Sequence, residues 1–305
     1  MSSQHRTSSR KHKGLKVSAL TLASALFLTA CSDQAKVGWL PTKRGVTDNA
    51  DTIMDLWIGS WVAALVVGLI TWGLMLWCFI AYRRRKNEVG YPRQLAYHAP
   101  LEIFYTIAPV IMIVSLFSFS DSAERAITAP KADNADVTVE VYGKQWAWDF
   151  NYINEGVYFS GVQARLSTQD NPQGPQMAEE DMVYGKDGIS ATLPTLYLPV
   201  NSTVDLQLKT RDVIHSFWVP AFLEKRDTLP GQTNHMYFTT GEEPATYAGK
   251  CAELCGEYHS EMLFNVKVVS QEDYDAYIQS LEDMENVGRL GDEYNRNPNL
   301  NEIKK

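Results

Sequence analysis

The chain has little cysteine: four in 305 residues, too few and too unevenly placed for a disulfide scaffold. It contains no Cys-x-x-Cys-His, so no covalently attached haem is expected. It lacks a basic excess. Lys plus Arg number 28 against 36 Asp plus Glu, a formal charge of −8, which argues against nucleic acid as a partner. No internal repeat is visible. Apolar residues, by contrast, make up 45% and aromatics 11%, too much for a disordered chain. The charge is divided unequally along the length. Residues 1–120 carry 13 basic and 6 acidic groups, while residues 121–305 carry 15 and 30. A basic, membrane-like first block therefore precedes an acidic module.

Arg6, Arg10, Lys11, Lys13 and Lys16 lead into an apolar run over 17–30 that is too short to span a membrane. Residues 1–30 are expected to be an export signal. The box Leu28-Thr29-Ala30-Cys31 resembles that of bacterial lipoproteins, which implies cleavage before Cys31 and a diacylglycerol on its thiol. An ordinary signal peptide, or an uncleaved helix with an incidental Cys31, stays open. Residues 31–52 follow as an outer segment.

Residues 53–120 read as a transmembrane hairpin. The run 56–82 has no charge over 27 residues, enough to cross about 30 Å of hydrocarbon at 1.5 Å per residue. Trp57, Trp61, Trp72, Trp77 and Tyr82 lie along it, several near its ends, as interfacial anchors do. A second helix is expected over 101–120. Arg83, Arg84, Arg85 and Lys86 concentrate positive charge in the loop 83–98, placing it in the cytoplasm. Residues 31–55 and everything after 120 then lie on the outer face of a bacterial plasma membrane.

From 121 to 283 the periodicity turns strand-like. Runs at 137–142, 145–152, 195–199, 203–210, 234–240, 245–248 and 262–269 are β-branched or aromatic, with turn residues between them. Such a series predicts a β-sandwich or small barrel. Residues 153–192 look like a long excursion, expected to hold a local hairpin or to dock on a partner. Tyr274, Tyr277, Ile278 and Leu281 predict an amphipathic helix over 271–284. The tail, 284–305, is polar and expected to be peripheral.

Cys251, Cys255, His259 and Met262 fall within 12 residues, and His215 stands upstream. Two thiols, two imidazoles and a thioether form a soft ligand set suited to copper. A mononuclear blue-copper site needs one Cys, two His and a weak Met, which leaves one thiol over. Two bridging thiolates use both. His215 and His259 supply a terminal nitrogen to each copper, Met262 one weak ligand and the Glu253 carbonyl the other. A Cys251–Cys255 disulfide or a redox-silent Cys2His2 zinc site remain alternatives, though neither employs Met262. Cys78 reads as a small apolar residue of the first helix. His5, His12, His98 and His235 have no metal role in this reading.

The string Cys251-x-Glu253-x-Cys255-x-x-x-His259-x-x-Met262, with Val213-Ile214-His215-Ser216-Phe217, resembles the CuA motif of cytochrome c oxidase subunit 2. The hairpin, the segment 101–109 and the run Gln145-Trp146-Ala147-Trp148 are similar to that family in order and spacing, over about 50–283. The lipoprotein box and the excursion resemble its actinobacterial versions. The resemblance implies an all-β cupredoxin-like sandwich with Greek-key connections behind the transmembrane hairpin. It implies that His215 and Met262 serve one copper, that His259 and the Glu253 carbonyl serve the other, and that Cys251 and Cys255 bridge. The Glu253 carboxylate would reach a Mg2+ (or Mn2+) shared with subunit 1, an ion that favours oxygen ligands.

By the same resemblance Trp146 accepts the electron from a c-type cytochrome, with surrounding acids steering a basic donor. Trp148, two residues on, is the competing ring. Glu102 matches the glutamate at the mouth of the K proton channel. Read locally, it is a helix-capping acid behind Pro100. Implied partners are oxidase subunits 1 and 3, membrane lipids and the cytochrome donor, which in a supercomplex belongs to a cytochrome bc complex. The implied function is electron delivery to the haem of subunit 1, where O2 is reduced to water and protons are pumped. Three other readings differ in class. A quinol oxidase subunit lacks the copper ligands, and nitrous-oxide reductase carries a far larger catalytic portion. A membrane-tethered cupredoxin carrier would need neither Glu102 nor subunit partners.

Overall fold

The computed structural model describes residues 32–85, 89–91, 94–163 and 193–296. Cys31 and the leader, most of the excursion and the last residues of the tail lie outside them. After one helical turn at Asp33–Lys36, helix α1 runs over Asp48–Ala81 and α2 over Ala99–Thr128. Thr47 caps α1, its Oγ1 accepting from the Ala50 N–H at 3.0 Å. His98 caps α2 reciprocally: its Nδ1 accepts from Leu101 N–H at 3.2 Å, while Glu102 Oε1 accepts from His98 N–H at 2.9 Å.

Both helices are long and apolar enough for a two-pass membrane topology. Both also outrun the ranges expected from hydropathy. An uncharged run marks only the part that sits in hydrocarbon, whereas the helix continues wherever its polar ends find partners. The early turns of α1 bury Asn49, Ala50 and Met54 against the sandwich. There the Asn49 amide donates to the Tyr237 carbonyl at 2.7 Å and to Glu224 at 3.0 Å. Lys131, just past α2, pairs with Asp48 at 3.1 Å and ties the two helices together.

Among the described residues the sandwich has ten strands. They are β1 Val137–Lys144, β2 Ala147–Tyr152, β3 Val157–Ser160, β4 Thr195–Pro199, β5 Thr203–Thr210, β6 His215–Val219, β7 Glu224–Thr228, β8 Asn234–Thr239, β9 Ala245–Cys251 and β10 Leu263–Val269. One sheet has the order β3-β2-β1-β5-β8 and the other β4-β10-β9-β6-β7. The pairs β1/β5 and β4/β10 are parallel, the rest antiparallel. This is a cupredoxin-like sandwich. β5 alternates half-buried and buried positions along its whole length, as a two-layer fold requires. Its inward Leu206 and Leu208 meet Trp148, Phe150, Phe217 and Phe264 in one core. Each such side chain contributes about 1.5–3 kcal/mol on full burial.

Three strands were not anticipated. β3 lies at the start of the excursion and pairs antiparallel with β2, which precedes it. β6 and β7 are five residues each and form a hairpin whose chain reversal is a single 3-10 turn at Pro220–Phe222. Helix α3, Gln271–Asp283, is capped by Ser270 and buries Tyr274, Ile278 and Leu281.

The tail departs from expectation. Residues 286–296 are not peripheral but dock along the outer face of the first sheet. Val287 bridges to Val157, and Leu290 is buried. Its polar composition misleads because the partners it meets are themselves buried and polar: Glu140, Asn151 and Arg211.

Candidate metal centre

The centre forms where β6 begins and β9 ends. Phe217 pairs with Cys251, so the ladder carries His215 and Cys251 to the same end of the sheet. The loop from 252 to 262 then folds back, with Met262 O accepting from Cys251 N–H at 3.0 Å. This closure brings Cys255, His259 and Met262 up to Cys251. The two sulfurs are 3.9 Å apart and unbonded, nearly twice the roughly 2.05 Å of a disulfide. The disulfide reading therefore has no support in this geometry.

Around that pair, Cys251 Sγ lies 4.0 Å from His215 Nδ1 and 3.2 Å from the Glu253 carbonyl. Cys255 Sγ lies 3.5 Å from His259 Nδ1 and 3.8 Å from Met262 Sδ. The ligand atoms of His215, Cys251 and Cys255 all fall within 4.8 Å of one another. His215 and Met262 are fully buried. Soft donors converging in an apolar shell suit copper.

Electrostatics favours the same state. Cys251 is pushed down to about 3, first by the hydrogen bond from the neighbouring Cys255 thiol and further by His215 and the Glu253 and Ser216 backbone, against the cost of burial. The Cys255 thiol is pushed up by that adjacent thiolate and by burial. The pair therefore favours loss of its first proton from Cys251, and a bound cation would favour loss of the second. For His215, burial opposes charge, but Asp212 and Cys251 outweigh it and raise its pKa.

Three residues missed by the sequence reading hold these ligands in place. Asp212 Oδ1 sits 2.8 Å from His215 Nε2, leaving Nδ1 free to face the sulfurs. Gln145 donates from its backbone to Asp212 Oδ2 and from its side chain to the Cys255 carbonyl, both at 2.8 Å. Gly143 lies beneath the imidazole, where an added Cβ would come within 2.8 Å of His215 Cδ2. The available signal was position: Asp212 stands three residues before His215, and Gln145 adjoins Trp146. Asp212→Ala is expected to weaken copper retention by about 10–100-fold, the usual effect of losing a carboxylate behind a metal-bound histidine. Competition with a chelator measures it.

The two tryptophans separate clearly. Gln145 and Trp146 form the turn between β1 and β2, not the start of a strand. Trp148 is fully buried among His215, Phe217 and Phe264. Trp146 is half-buried, edge-on to Tyr258 at 4.8 Å and against Gly256 of the cysteine loop. Glu253 and Leu254 project outward from that loop. Glu102 lies elsewhere, at the far end of the hairpin, and its visible contact is the helix cap. His98 and His235 also have local partners, the α2 cap and Asp205.

Residues 137–269 match the family described as cytochrome C oxidase subunit II, periplasmic domain. Over 305 aligned positions the chain is 40% identical to the probable cytochrome c oxidase subunit 2 of Streptomyces avermitilis, covering 95% of this chain and 91% of that one. The chain belongs to the cytochrome c oxidase subunit 2 family. The subunit 2 of Mycobacterium tuberculosis is 31% identical over 297 residues, covering 87% of this chain and 81% of the relative. This member is thus of actinobacterial type. The periplasmic domain of subunit II of cytochrome oxidase from Bradyrhizobium japonicum aligns at 27% identity and a TM-score of 0.39, over 50% of this chain and 96% of that domain. As a subunit 2, the chain is an electron-transfer component of a multi-subunit oxidase and does not itself reduce O2.

Proposed function

We propose that this subunit 2 holds a dinuclear CuA centre on Cys251, Cys255, His215, His259, Met262 and the Glu253 carbonyl. It would accept electrons singly from a c-type cytochrome at Trp146 and hand them to the haem of subunit 1. The observation that carries the reading is the unbonded sulfur pair with an imidazole on each side. Bound there, the copper pair supplies one-electron redox chemistry with the charge shared over two metals. The chain's own residues do the rest. Cys251 and Cys255 would hold the metal through their thiolates, Asp212 orients His215, and the buried Trp148 and Phe264 would keep water from beneath the ligands. Metal analysis with EPR of the assembled oxidase tests the reading. Two coppers per chain and the hyperfine pattern of one electron shared equally between them are expected; a single metal, or a disulfide in the active enzyme, would refute it.

Trp146 is assigned electron acceptance because it is the half-buried ring touching the cysteine loop. Trp146→Gln should slow reduction by cytochrome c while the copper absorption stays unchanged. A large spectral change would instead make the ring structural. The Glu253 carboxylate, pointing out of the loop, is suited to a Mg2+ or Mn2+ completed by subunit 1.

Glu102 is proposed at the entrance of the K proton channel, so Glu102→Ala should slow proton uptake with the copper site intact. Unchanged turnover of the assembled enzyme would count against it. The outer placement of the sandwich is supported by its position opposite Arg83, Arg84 and Arg85 across the helices. A lipid on Cys31, Greek-key connections, contact with subunit 3 and a donor fixed in a cytochrome bc supercomplex complete the proposal.

A further inference from the structure

Residues 286–296 lie beyond the 137–269 stretch that matches the family, yet they are fastened to the connection that leads into His215. Tyr158 N–H donates to Asn286 O at 3.0 Å, Gly288 N–H to Gly156 O at 2.7 Å, and Leu290 N–H to Asn151 Oδ1 at 3.0 Å. The segment then meets Arg211. This buried guanidinium donates to Gly291 O at 2.9 Å, to Leu290 O at 3.0 Å and to Asp149 Oδ2 at 2.7 Å. Its face lies 4.1 Å from the Tyr142 ring, whose hydroxyl donates to Asp292 at 2.9 Å. The backbone is held as well, because Arg296 N–H donates to Arg211 O at 2.9 Å. The residue after Arg211 is Asp212, whose carboxylate meets His215 Nε2.

We propose that segment 286–296 is a positioning strap for the metal centre, clamping Arg211 from both sides so that Asp212, and through it the His215 ring, keeps one orientation. The proposal rests on His215 being a copper ligand. Between β5 and β6 only residues 211–214 join the two sheets, and they belong to no strand. Without the strap, Asp212 would keep its local contacts with Gln145 and Val213, but the backbone bearing it would lose its outer support. A ligand held by a wandering carboxylate samples several orientations. Ordering it on metal binding then costs affinity and alters the balance between oxidation states.

The test uses the full chain in the assembled oxidase, with three variants. They are a chain ending at Glu285, Arg211→Gln, and the control Tyr274→Phe, which loses a buried hydroxyl contact with Glu155 away from this loop. The midpoint potential of the copper and hydrogen exchange of residues 211–216 in the copper-free chain are measured. Exchange at 211–216 should quicken about tenfold in the first two variants and not in the control. The reduced-to-oxidised equilibrium should shift by up to about tenfold, or 59 mV for a one-electron couple. If the shortened chain fails to fold, Arg211→Gln decides. Unchanged exchange in Arg211→Gln overturns the clamp, and so does an equal potential shift in Tyr274→Phe. Faster exchange with an unmoved potential overturns its link to the metal. Because exchange is read without copper, failure of the copper assignment and failure of the strap are distinguishable.

Discussion

Replacing Cys251 with serine is expected to leave the sandwich folded and, on the proposed assignment, empty of copper. The thiol at this position is held below the usual thiol range by its neighbour Cys255, by His215 and by backbone N–H groups, which suits it to ligation as an anion. A serine hydroxyl stays protonated at neutral pH and is a hard donor, so it neither bridges two coppers nor favours the cuprous state. Removing a shared ligand should therefore cost more than the roughly 10–100-fold loss that follows changes behind a ligand. Electron delivery to the oxidase should stop with it. Stability should change little, because serine is nearly the same size and the Met262 O to Cys251 N–H bond is untouched. Copper analysis alongside thermal melting checks both halves. Full copper content with an unaltered spectrum in Cys251→Ser would remove the bridging role.

The second large effect lies outside the metal site. Asp149 is buried and accepts from Lys144 at 2.6 Å, Arg211 at 2.7 Å, Ser160 at 3.1 Å and the Gly161 backbone at 3.2 Å. Asp149→Ala strips the counter-charge from a guanidinium that is itself buried, and breaking such a pair costs about 3–5 kcal/mol. The expected result is a lower urea midpoint with an unchanged slope. Asp149→Asn keeps the shape but not the charge and should fall between wild type and alanine. Equal stability of all three would mean that the buried charges contribute nothing net, as happens when desolvation balances attraction.

The parts legible in sequence are those with a period or a dense chemical signature. The hairpin reads from two uncharged runs, the strands from β-branched alternation, and the candidate metal centre from five soft donors in a fixed order. Gly143, Gln145 and Asp212 gave no such signal, because each acts on the ligands from a neighbouring strand or loop. Trp146 and Trp148 seemed to share a strand face; the tight turn at 145–146 separates them, and a two-residue turn of Gln and Trp carries no turn chemistry. The tail was misjudged for a related reason. Its anchorage runs through backbone carbonyls meeting Arg211 and through an Asn151 side chain, which leave no hydropathic trace. Helix ends were underestimated because hydropathy registers solvent, not backbone hydrogen bonding.

The seating of α1 on the sandwich bears on how electrons can travel. Asn49 is held by Glu224 of β7 and the Tyr237 carbonyl of β8, Met54 is buried, and Lys131 ties the second helix to Asp48, so the sandwich stands on two braced helices. A module seated in this way would not swing between donor and acceptor as a tethered carrier would. The proposed redox centre would then keep a constant height above the bilayer, and traffic would depend on the donor arriving at that height.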